Sequence, residues 1–240
     1  MTDTIKTNPH AFCIKADVIG SRDSHQARLL PEIARELNQR YHETLLTPFI
    51  VRAGDEIFGI LANPDSGFQA YKALYDQSRV RNVPLYVGLG LGAVDLSASA
   101  DSELVNGEAI WLAAEALEAL KRKPANEILT RQKHSKFRFA ITVSEQPEKN
   151  RLFEHFLFYI MSYVTSRTAL QHQAVALKES HPDWDNLRLY HSLEGKQAEI
   201  IEPENAIANF SKLLRRGNYQ LVRDAEETFL YLLRRCCPVE

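Results

Sequence analysis

The chain has 240 residues, of which 45% are hydrophobic and 25% are charged, and its formal net charge is −2. This is the composition of an ordinary globular protein, and the near-neutral charge excludes a global attraction to nucleic acid or anionic lipid. The polar N-terminal stretch MTDTIKTNPH and the lack of a run of about 20 apolar residues argue against a signal peptide and a membrane span. Three cysteines are an odd number and argue against a disulfide framework, so we expect a cytoplasmic protein.

The first part of the chain predicts strands and helices in a fixed order. The predicted elements are a strand at 11–19, a helix at 24–45, two hairpin strands joined by the GD dipeptide at 54–55, a helix at 65–80, a strand at 84–96, a helix at 106–122 and a strand at 136–143. The order β-α-β-β-α-β is the split βαβ, ferredoxin-like pattern. Glycines at alternate positions of the strand at 84–96 predict close approach of another backbone or a ligand.

The second part of the chain predicts only helices. Residues 147–179 predict one long or broken helix, and HPDWDN at 181–186 carries turn and capping signals that indicate a boundary. We therefore predict an α+β protein in three parts. These are a ferredoxin-fold domain at 1–146, a connecting helix at 147–180 and a small helical domain at 181–240.

Two acidic residues are the first candidate site. Asp17 ends the first strand and Asp55 occupies the hairpin turn, and these two elements are neighbours in the predicted sheet. Their carboxylates, with the Val18 carbonyl and Glu56, are the hard oxygen ligands that Mg²⁺ or Mn²⁺ prefers. The alternative is that both aspartates cap local backbone, as they commonly do at strand ends and in turns.

Two arginines lie close to these acids in the sequence. Arg22 and Arg52 are suited to bind phosphate oxygens as planar, bidentate donors, and the alternative is that they are solvated partners of the acids.

Four segments in order resemble class III nucleotide cyclases: ADVIGSR, AGDEIFGIL, VGLGLGAV and NGEAIWLAAEAL. The AGDE turn is also similar to the GGDEF hairpin of diguanylate cyclases. The resemblance implies a cyclase- or palm-type domain with a divalent metal at Asp17 and Asp55 and nucleotide phosphate near Gly54. The chain departs from the cyclase pattern at Trp111 and Glu115, where class III cyclases place an asparagine and an arginine that hold the ribose-phosphate. Metal-dependent nucleotide binding is therefore favoured over cyclisation.

The segment NAIANFSKLLRRGNY at 205–219 is the second candidate site. It predicts an amphipathic helix with Ile207, Phe210 and Leu214 inward and a polar face formed by Ser211, Lys212, Arg215 and Arg216. A helix-turn-helix would insert such a helix in the major groove of DNA. Acidic residues outnumber basic ones in this region, so the alternative is a helical packing or dimerisation domain.

This C-terminal pattern, together with the ADVIGSR segment and the GDE turn, resembles the SatD-like family. The resemblance implies a cyclase-like domain followed by a DNA-binding helix-turn-helix. We expect a regulatory protein that binds a nucleotide through a metal and binds DNA or a protein partner, as a homodimer joined by the aromatic-rich helix. The alternatives are an active Mg²⁺-dependent nucleotidyl transferase or cyclase with atypical catalytic residues, and a degenerate scaffold.

The adjacent cysteines Cys236 and Cys237 lie at the C-terminal end of the sequence. We expect them to be chemically inert, and the alternative is a redox or metal site.

Overall fold

The computed structural model describes residues 7–21, 25–96, 105–122, 124–195 and 201–236. The chain divides into two compact units. The first unit comprises Met1–His155 and Leu230–Glu240, and the second unit comprises Phe156–Phe229. The domain boundaries inferred from the sequence, at 146/147 and 180/181, stay a prediction.

The first unit contains the predicted alternation of strands and helices. Its elements are β1 (Thr7–Val18), a 3₁₀ helix (His25–Leu29), α1 (Leu30–Tyr41), β2 (Leu45–Arg52), β3 (Glu56–Leu61), α2 (Pro64–Arg81), β4 (Leu85–Asp95), β5 (Asn106–Gly107), α3 (Glu108–Lys121), α4 (Glu127–Arg131), β6 (Phe137–Thr142) and the start of α5 (Pro147–Thr165). The helix predicted at 24–45 is shorter than expected, because a 3₁₀ turn precedes α1. Proline lies in the first turn of α1, where its missing N–H costs little.

The strands form one mixed sheet, so the unit is α+β. The strand order is β2-β3-β1-β4-β5, and β6 also pairs with β4. Neighbours from β2 to β5 are antiparallel, whereas β6 runs parallel to β4. The order β2-β3-β1-β4 with antiparallel neighbours is that of a split βαβ unit. The split βαβ arrangement predicted for the first four long strands is therefore present, and the sheet is extended by the pairing of β4 with β5 and β6.

Helix α3 packs directly on the glycines of β4. A Cβ on Gly88 would lie 2.5 Å from the backbone nitrogen of Leu117 and 2.7 Å from its Cβ, so only glycine permits this approach. The close approach predicted for this strand is therefore made by a helix backbone. Gly88 pairs with Lys15 in register. Directly paired residues point to the same face of a sheet, so α3 covers the face that carries Lys15 and, two residues on, Asp17.

The opposite face of the sheet is covered by α2. Gly67 of α2 sits so close to Phe12 of β1 that a Cβ there would overlap the phenyl ring. On the α3 side, the core is a cluster of buried residues that includes Ala11, Cys13, Phe58 and Ala109. Burial raises the pKa of the Cys13 thiol well above its usual value, so this cysteine is an inert core residue.

The second unit is helical in its described residues. After the end of α5 it contains α6 (Ala169–Ser180), α7 (Asn186–Glu194), α8 (Pro203–Arg216) and the greater part of α9 (Tyr219–Cys236). The helix predicted over 147–179 is broken between α5 and α6, and α6 begins with a capping box formed by Thr168 and Gln171. Gly195 follows α7 as its C-cap with φ +58°, a backbone conformation that favours glycine.

One cluster of buried residues in the second unit joins α6, α7 and α8. Its members are Ala174, Leu189, Tyr190, Ala206 and Phe210. Residues 196–200, which precede α8, lie outside the described residues, so the helix-turn-helix stays a prediction. Among the described residues, no helix is long and apolar enough to cross a membrane.

Candidate functional site

The end of β1 and the β2–β3 turn meet in the structure. Asp17 pairs in register with Glu56 across β1 and β3. One residue further, the Val18 N–H donates to the Asp55 carbonyl oxygen at 3.1 Å. The two elements that carry the predicted acids are therefore neighbours at the level of the backbone.

The backbone conformation of the β2–β3 turn explains why residue 54 is a glycine. Ala53 and Gly54 both have positive φ, +49° and +87°, as the tight turns of twisted hairpins require. A Cβ on Gly54 would meet no atom within 4 Å, so backbone conformation and not space selects glycine here. Contact of Gly54 with a nucleotide stays a prediction.

One oxygen of the Asp17 carboxylate is paired with a lysine, and the other has no hydrogen-bond partner in the described part of the chain. Its Oδ2 lies 2.7 Å from Nζ of Lys121, the last residue of α3. Its Oδ1 is buried and accepts no hydrogen bond from the described residues. Leaving such an oxygen unsatisfied costs on the order of 1–3 kcal/mol, which a ligand at this position would recover.

Lys121 is held in its charged form by the acids around it. Burial acts to lower the pKa of Lys121, but the hydrogen bond to Asp17 and the negative charges of Asp17, Glu118 and Glu56 outweigh burial, so the pKa is raised. The side chains of Lys121 and Asp17 are 33% and 19% exposed, so the pair is only partly screened by water. Sequence reasoning missed Lys121, because only the packing of α3 on β4 brings it to β1.

Further charged side chains line the same face of β1, β2 and β3. Lys15 Nζ lies 3.5 Å from Glu56 Oε2, and the guanidinium of Arg52 lies 3.8 Å from the centroid of the Phe58 ring. Arg52 also pairs with Glu56 in register. We call this set the β1–β3 charge cluster, and its members are Lys15, Asp17, Arg52, Glu56 and Lys121.

Asp55 has a different partner from Asp17. Its Oδ2 accepts a hydrogen bond from the Ser21 hydroxyl at 2.7 Å, which ties the segment after β1 to the hairpin turn. The bond joins side chains 34 positions apart in the sequence, so it is not local backbone capping, and the metal-binding role of Asp55 stays a prediction. Arg22, the predicted phosphate ligand that follows Ser21, lies outside the described residues.

The fit to a divalent cation depends on the oxygen donors at this end of the sheet. The buried, unsatisfied Oδ1 of Asp17, the Glu56 carboxylate and the nearby Asp55 supply the hard donors that Mg²⁺ or Mn²⁺ prefers. In the described part of the chain, no group of three or more His, Cys, Asp or Glu side chains is arranged to hold a metal. A divalent cation at Asp17 therefore stays a prediction, and Lys121 would compete with it for the Asp17 carboxylate.

Helix α3 also carries Trp111 and Glu115. Trp111 is 63% exposed, and Glu115 lines a cleft of about 970 Å³ bordered by α3, α4, β6 and α5. In that cleft, burial raises the pKa of Glu154, although Asn126 donates a hydrogen bond to its Oε2 at 2.9 Å. The two residues that the sequence resemblance aligns with the ribose-phosphate positions of class III cyclases are therefore an exposed indole and an acid that lines a cleft.

The basic face predicted for α8 is present, with one correction. Phe210 is buried as predicted, but Ile207 is 42% exposed instead of inward, because Ala206 takes its place in the core. Ser211 accepts a hydrogen bond from Asn186 of α7 at 2.9 Å, so its hydroxyl is engaged in helix packing. The remaining predicted residues are exposed and form no ion pair within the described chain: Lys212, Arg215 and Arg216.

Comparison with known proteins gives only distant similarities. No family model and no curated protein matches the chain. Among solved structures, the chain is similar to the catalytic core of a rhodopsin-guanylyl cyclase in complex with ATPαS, with a TM-score of 0.36 and 15% identity over 49% of this chain and 76% of that one. It is also similar to the guanylyl cyclase domain of the RhoGC fusion protein from Blastocladiella emersonii, with a TM-score of 0.35 and 14% identity over 48% and 77% of the two chains.

A third similarity spans more of this chain but a smaller part of the other protein. It is to a Csm1–Csm4 cassette in complex with cA4, with a TM-score of 0.31 and 11% identity over 90% of this chain and 36% of that one. TM-scores this low carry no argument about the function of this chain.

Proposed function

We propose that the first unit binds the phosphate groups of a nucleotide through a divalent cation at the end of β1. Asp17 is the principal ligand, and Asp55, Glu56 and the Val18 carbonyl are the further candidates. The observation that supports this most directly is the buried Oδ1 of Asp17, which accepts no hydrogen bond from the described residues. The resemblance of the ADVIGSR and AGDE segments to nucleotide cyclases supplies the ligand class.

Two basic members of the β1–β3 charge cluster, Lys15 and Arg52, would assist the cation in binding phosphate. Bound Mg²⁺ or Mn²⁺ offsets the negative charge of a polyphosphate and orients it. Lys15 and Arg52 lie on the same face of the sheet as Asp17, where they add positive charge. Arg22 is a further candidate for phosphate contact.

Binding is favoured over nucleotide cyclisation because of α3. The indole of Trp111 does not supply the amide of the asparagine that class III cyclases use, and the Glu115 carboxylate would repel phosphate. An active nucleotidyl transferase with atypical residues is the alternative. Incubation with Mn²⁺ and each nucleoside triphosphate, analysed by mass spectrometry, decides between them. A cyclic or linked product that is lost in Asp17→Ala would show that the protein is an enzyme.

The binding proposal is tested by thermal unfolding with ATP or GTP, each with and without Mg²⁺. A ligand at about 100 times its dissociation constant adds about 2.7 kcal/mol to the free energy of unfolding. We expect a cation-dependent rise in the melting temperature of the wild type, no rise in Asp17→Asn, and an unchanged response in the control Asp183→Asn, an exposed acid of the second unit. A melting temperature that no nucleotide and metal changes would instead indicate a degenerate scaffold.

DNA binding by α8 is a second candidate function. It is supported by three exposed basic residues without an ion-pair partner in the described chain, Lys212, Arg215 and Arg216. Phosphate contacts supply most of the affinity of such interfaces and make it salt-dependent. Together with nucleotide binding, this would make the protein a regulator, and the exposed Tyr159 and Tyr163 of α5 are candidates for the predicted homodimer interface.

The DNA proposal is tested by gel shift with genomic fragments at two salt concentrations. Replacing Lys212, Arg215 and Arg216 by alanine should abolish the shift, while Lys133→Ala, an exposed residue of the first unit, should leave it unchanged. Equal shifts for the triple variant and the wild type would rule out α8 as a DNA-binding element. No shift for the wild type at low salt would favour the packing or dimerisation role of this helix.

A further inference from the structure

Lys121 occupies one oxygen of the carboxylate that the proposed cation needs. Its ammonium group lies 2.7 Å from Asp17 Oδ2, at the distance of a strong, charge-assisted hydrogen bond. Mg²⁺ requires a carboxylate oxygen at about 2.0–2.1 Å and near-ideal octahedral geometry. A lysine ammonium and a divalent cation on one partly buried carboxylate repel each other, so the two compete for Asp17.

The structure also shows where the Lys121 side chain can go. Glu118, one turn earlier on α3, has its Oε1 3.7 Å from Lys121 Nζ and is 53% exposed. The flexible four-carbon stem of lysine allows Nζ to move from Asp17 toward this acid or toward a bound phosphate. Lys121 is also the last residue of its helix, where the helix dipole favours a positive charge in either position.

We propose that Lys121 is an internal counter-ion that excludes a divalent cation from Asp17 until a nucleotide phosphate accepts the lysine. This inference rests on the proposed function of the same site. In the free protein, Lys121 pairs with Oδ2 of Asp17 and weakens the binding of the metal alone. When a polyphosphate binds, the ammonium exchanges the carboxylate for a phosphate oxygen, and Asp17 becomes available to the cation. Lys121 is thus a positioning residue that couples metal binding to nucleotide binding.

The coupling has a reciprocal consequence. If the nucleotide increases the affinity for the metal, the metal must increase the affinity for the nucleotide by the same factor. Removing the ammonium should raise the affinity for the metal alone and should reduce this factor. A merely structural lysine would change stability without changing the coupling.

The test is a titration with Mn²⁺ followed by electron paramagnetic resonance, without nucleotide and with ATP or GTP. The proteins are the wild type, Lys121→Met and the control Arg122→Met, which removes a neighbouring exposed positive charge. Loss of the ammonium removes the competitor for Asp17. We therefore expect Lys121→Met to bind Mn²⁺ alone roughly tenfold more tightly, equivalent to about 1.4 kcal/mol. The effect of nucleotide should be smaller in this variant, and Arg122→Met should change by less than about twofold.

The outcomes separate this inference from the proposed function. Equal Mn²⁺ affinities for Lys121→Met and the wild type overturn the role of Lys121 but leave the metal site in place. If neither protein binds Mn²⁺ at millimolar concentration, with or without nucleotide, both the proposed function and this inference fail.

A second measurement guards against misfolding of the variant. Loss of the Asp17 counter-ion should lower the melting temperature of Lys121→Met, and Mn²⁺ should restore it more than it shifts the wild type. Lys121→Gln keeps a hydrogen-bond donor without the charge and should show the same restoration. Loss of stability that Mn²⁺ restores in neither variant contradicts the inference.

Discussion

Replacement of Gly88 by alanine tests the packing that places Lys121 at the site. Any Cβ at this position of β4 would lie 2.5 Å from the backbone nitrogen of Leu117, whereas carbon-sized atoms pack at about 3.5 Å or more. The conflict is with the backbone of α3 and not with a movable side chain, so the helix must shift by roughly 1 Å. Overpacking of a core usually costs about 1–3 kcal/mol, and backbone conflict puts Gly88→Ala at the upper end, about 3 kcal/mol.

The assay is urea unfolding of Gly88→Ala in a Trp184→Phe background, so that Trp111 on α3 is the remaining tryptophan and reports on the first unit. With a dependence of about 1–3 kcal/mol per molar urea, a loss of about 3 kcal/mol lowers the urea midpoint by about 1–3 M. The control is Gly217→Ala, since Gly217 has φ −81° and a Cβ there would lie 3.2 Å from its nearest neighbour. If Gly88→Ala unfolds at the same urea concentration as the wild type, the close packing of α3 on β4 is refuted.

The remaining predictions concern Glu154 and the Asp17–Lys121 pair. Because burial raises the pKa of Glu154 in the folded protein above its ordinary value of 4.5, the folded state binds more protons than the unfolded state as pH rises from about 4.5. The contribution of Glu154 to the free energy of unfolding is therefore fully present below about pH 4.5. It is lost as the pH rises through the raised pKa of the folded protein. We expect Glu154→Gln to remove that decline and to be more stable than the wild type at pH 7, and Glu148→Gln, an exposed residue of α5, to keep the wild-type profile in urea unfolding. For the ion pair, a double-mutant cycle of Asp17→Asn and Lys121→Met should give a coupling of about 1 kcal/mol after allowance for solvent screening, and a coupling near zero would contradict the contact.

Local sequence signals predicted much of the first unit. Short apolar runs of β1, β3 and β6, and the GD turn between β2 and β3, predicted strands and a hairpin that the structure contains. The order β-α-β-β-α-β then restricts the sheet to few topologies, so that the meeting of the Asp17 and Asp55 backbones followed from the pattern. The alternating glycines of β4 predicted a close neighbour but not its identity, which is α3.

The same signals were less informative about side chains at the site. They did not show that the Asp55 carboxylate binds Ser21 or that Asp17 binds Lys121. In α8, periodicity placed Phe210 inward correctly but placed Ile207 inward as well, because the width of the buried stripe depends on the helices packed against it. The roles of the predicted site residues in binding metal, nucleotide or DNA stay predictions.

The amino-acid sequence by itself determined the strands, the helices, the hairpin and the presence of two acids at one end of the sheet, because these depend on periodicity and on residues close together in the chain. Only the tertiary structure decided which charges face those acids. Lys121 reaches Asp17 because the glycines of β4 let α3 lie directly on the sheet. Such a contact depends on how closely two elements pack, and the spacing of residues along the chain does not record that distance.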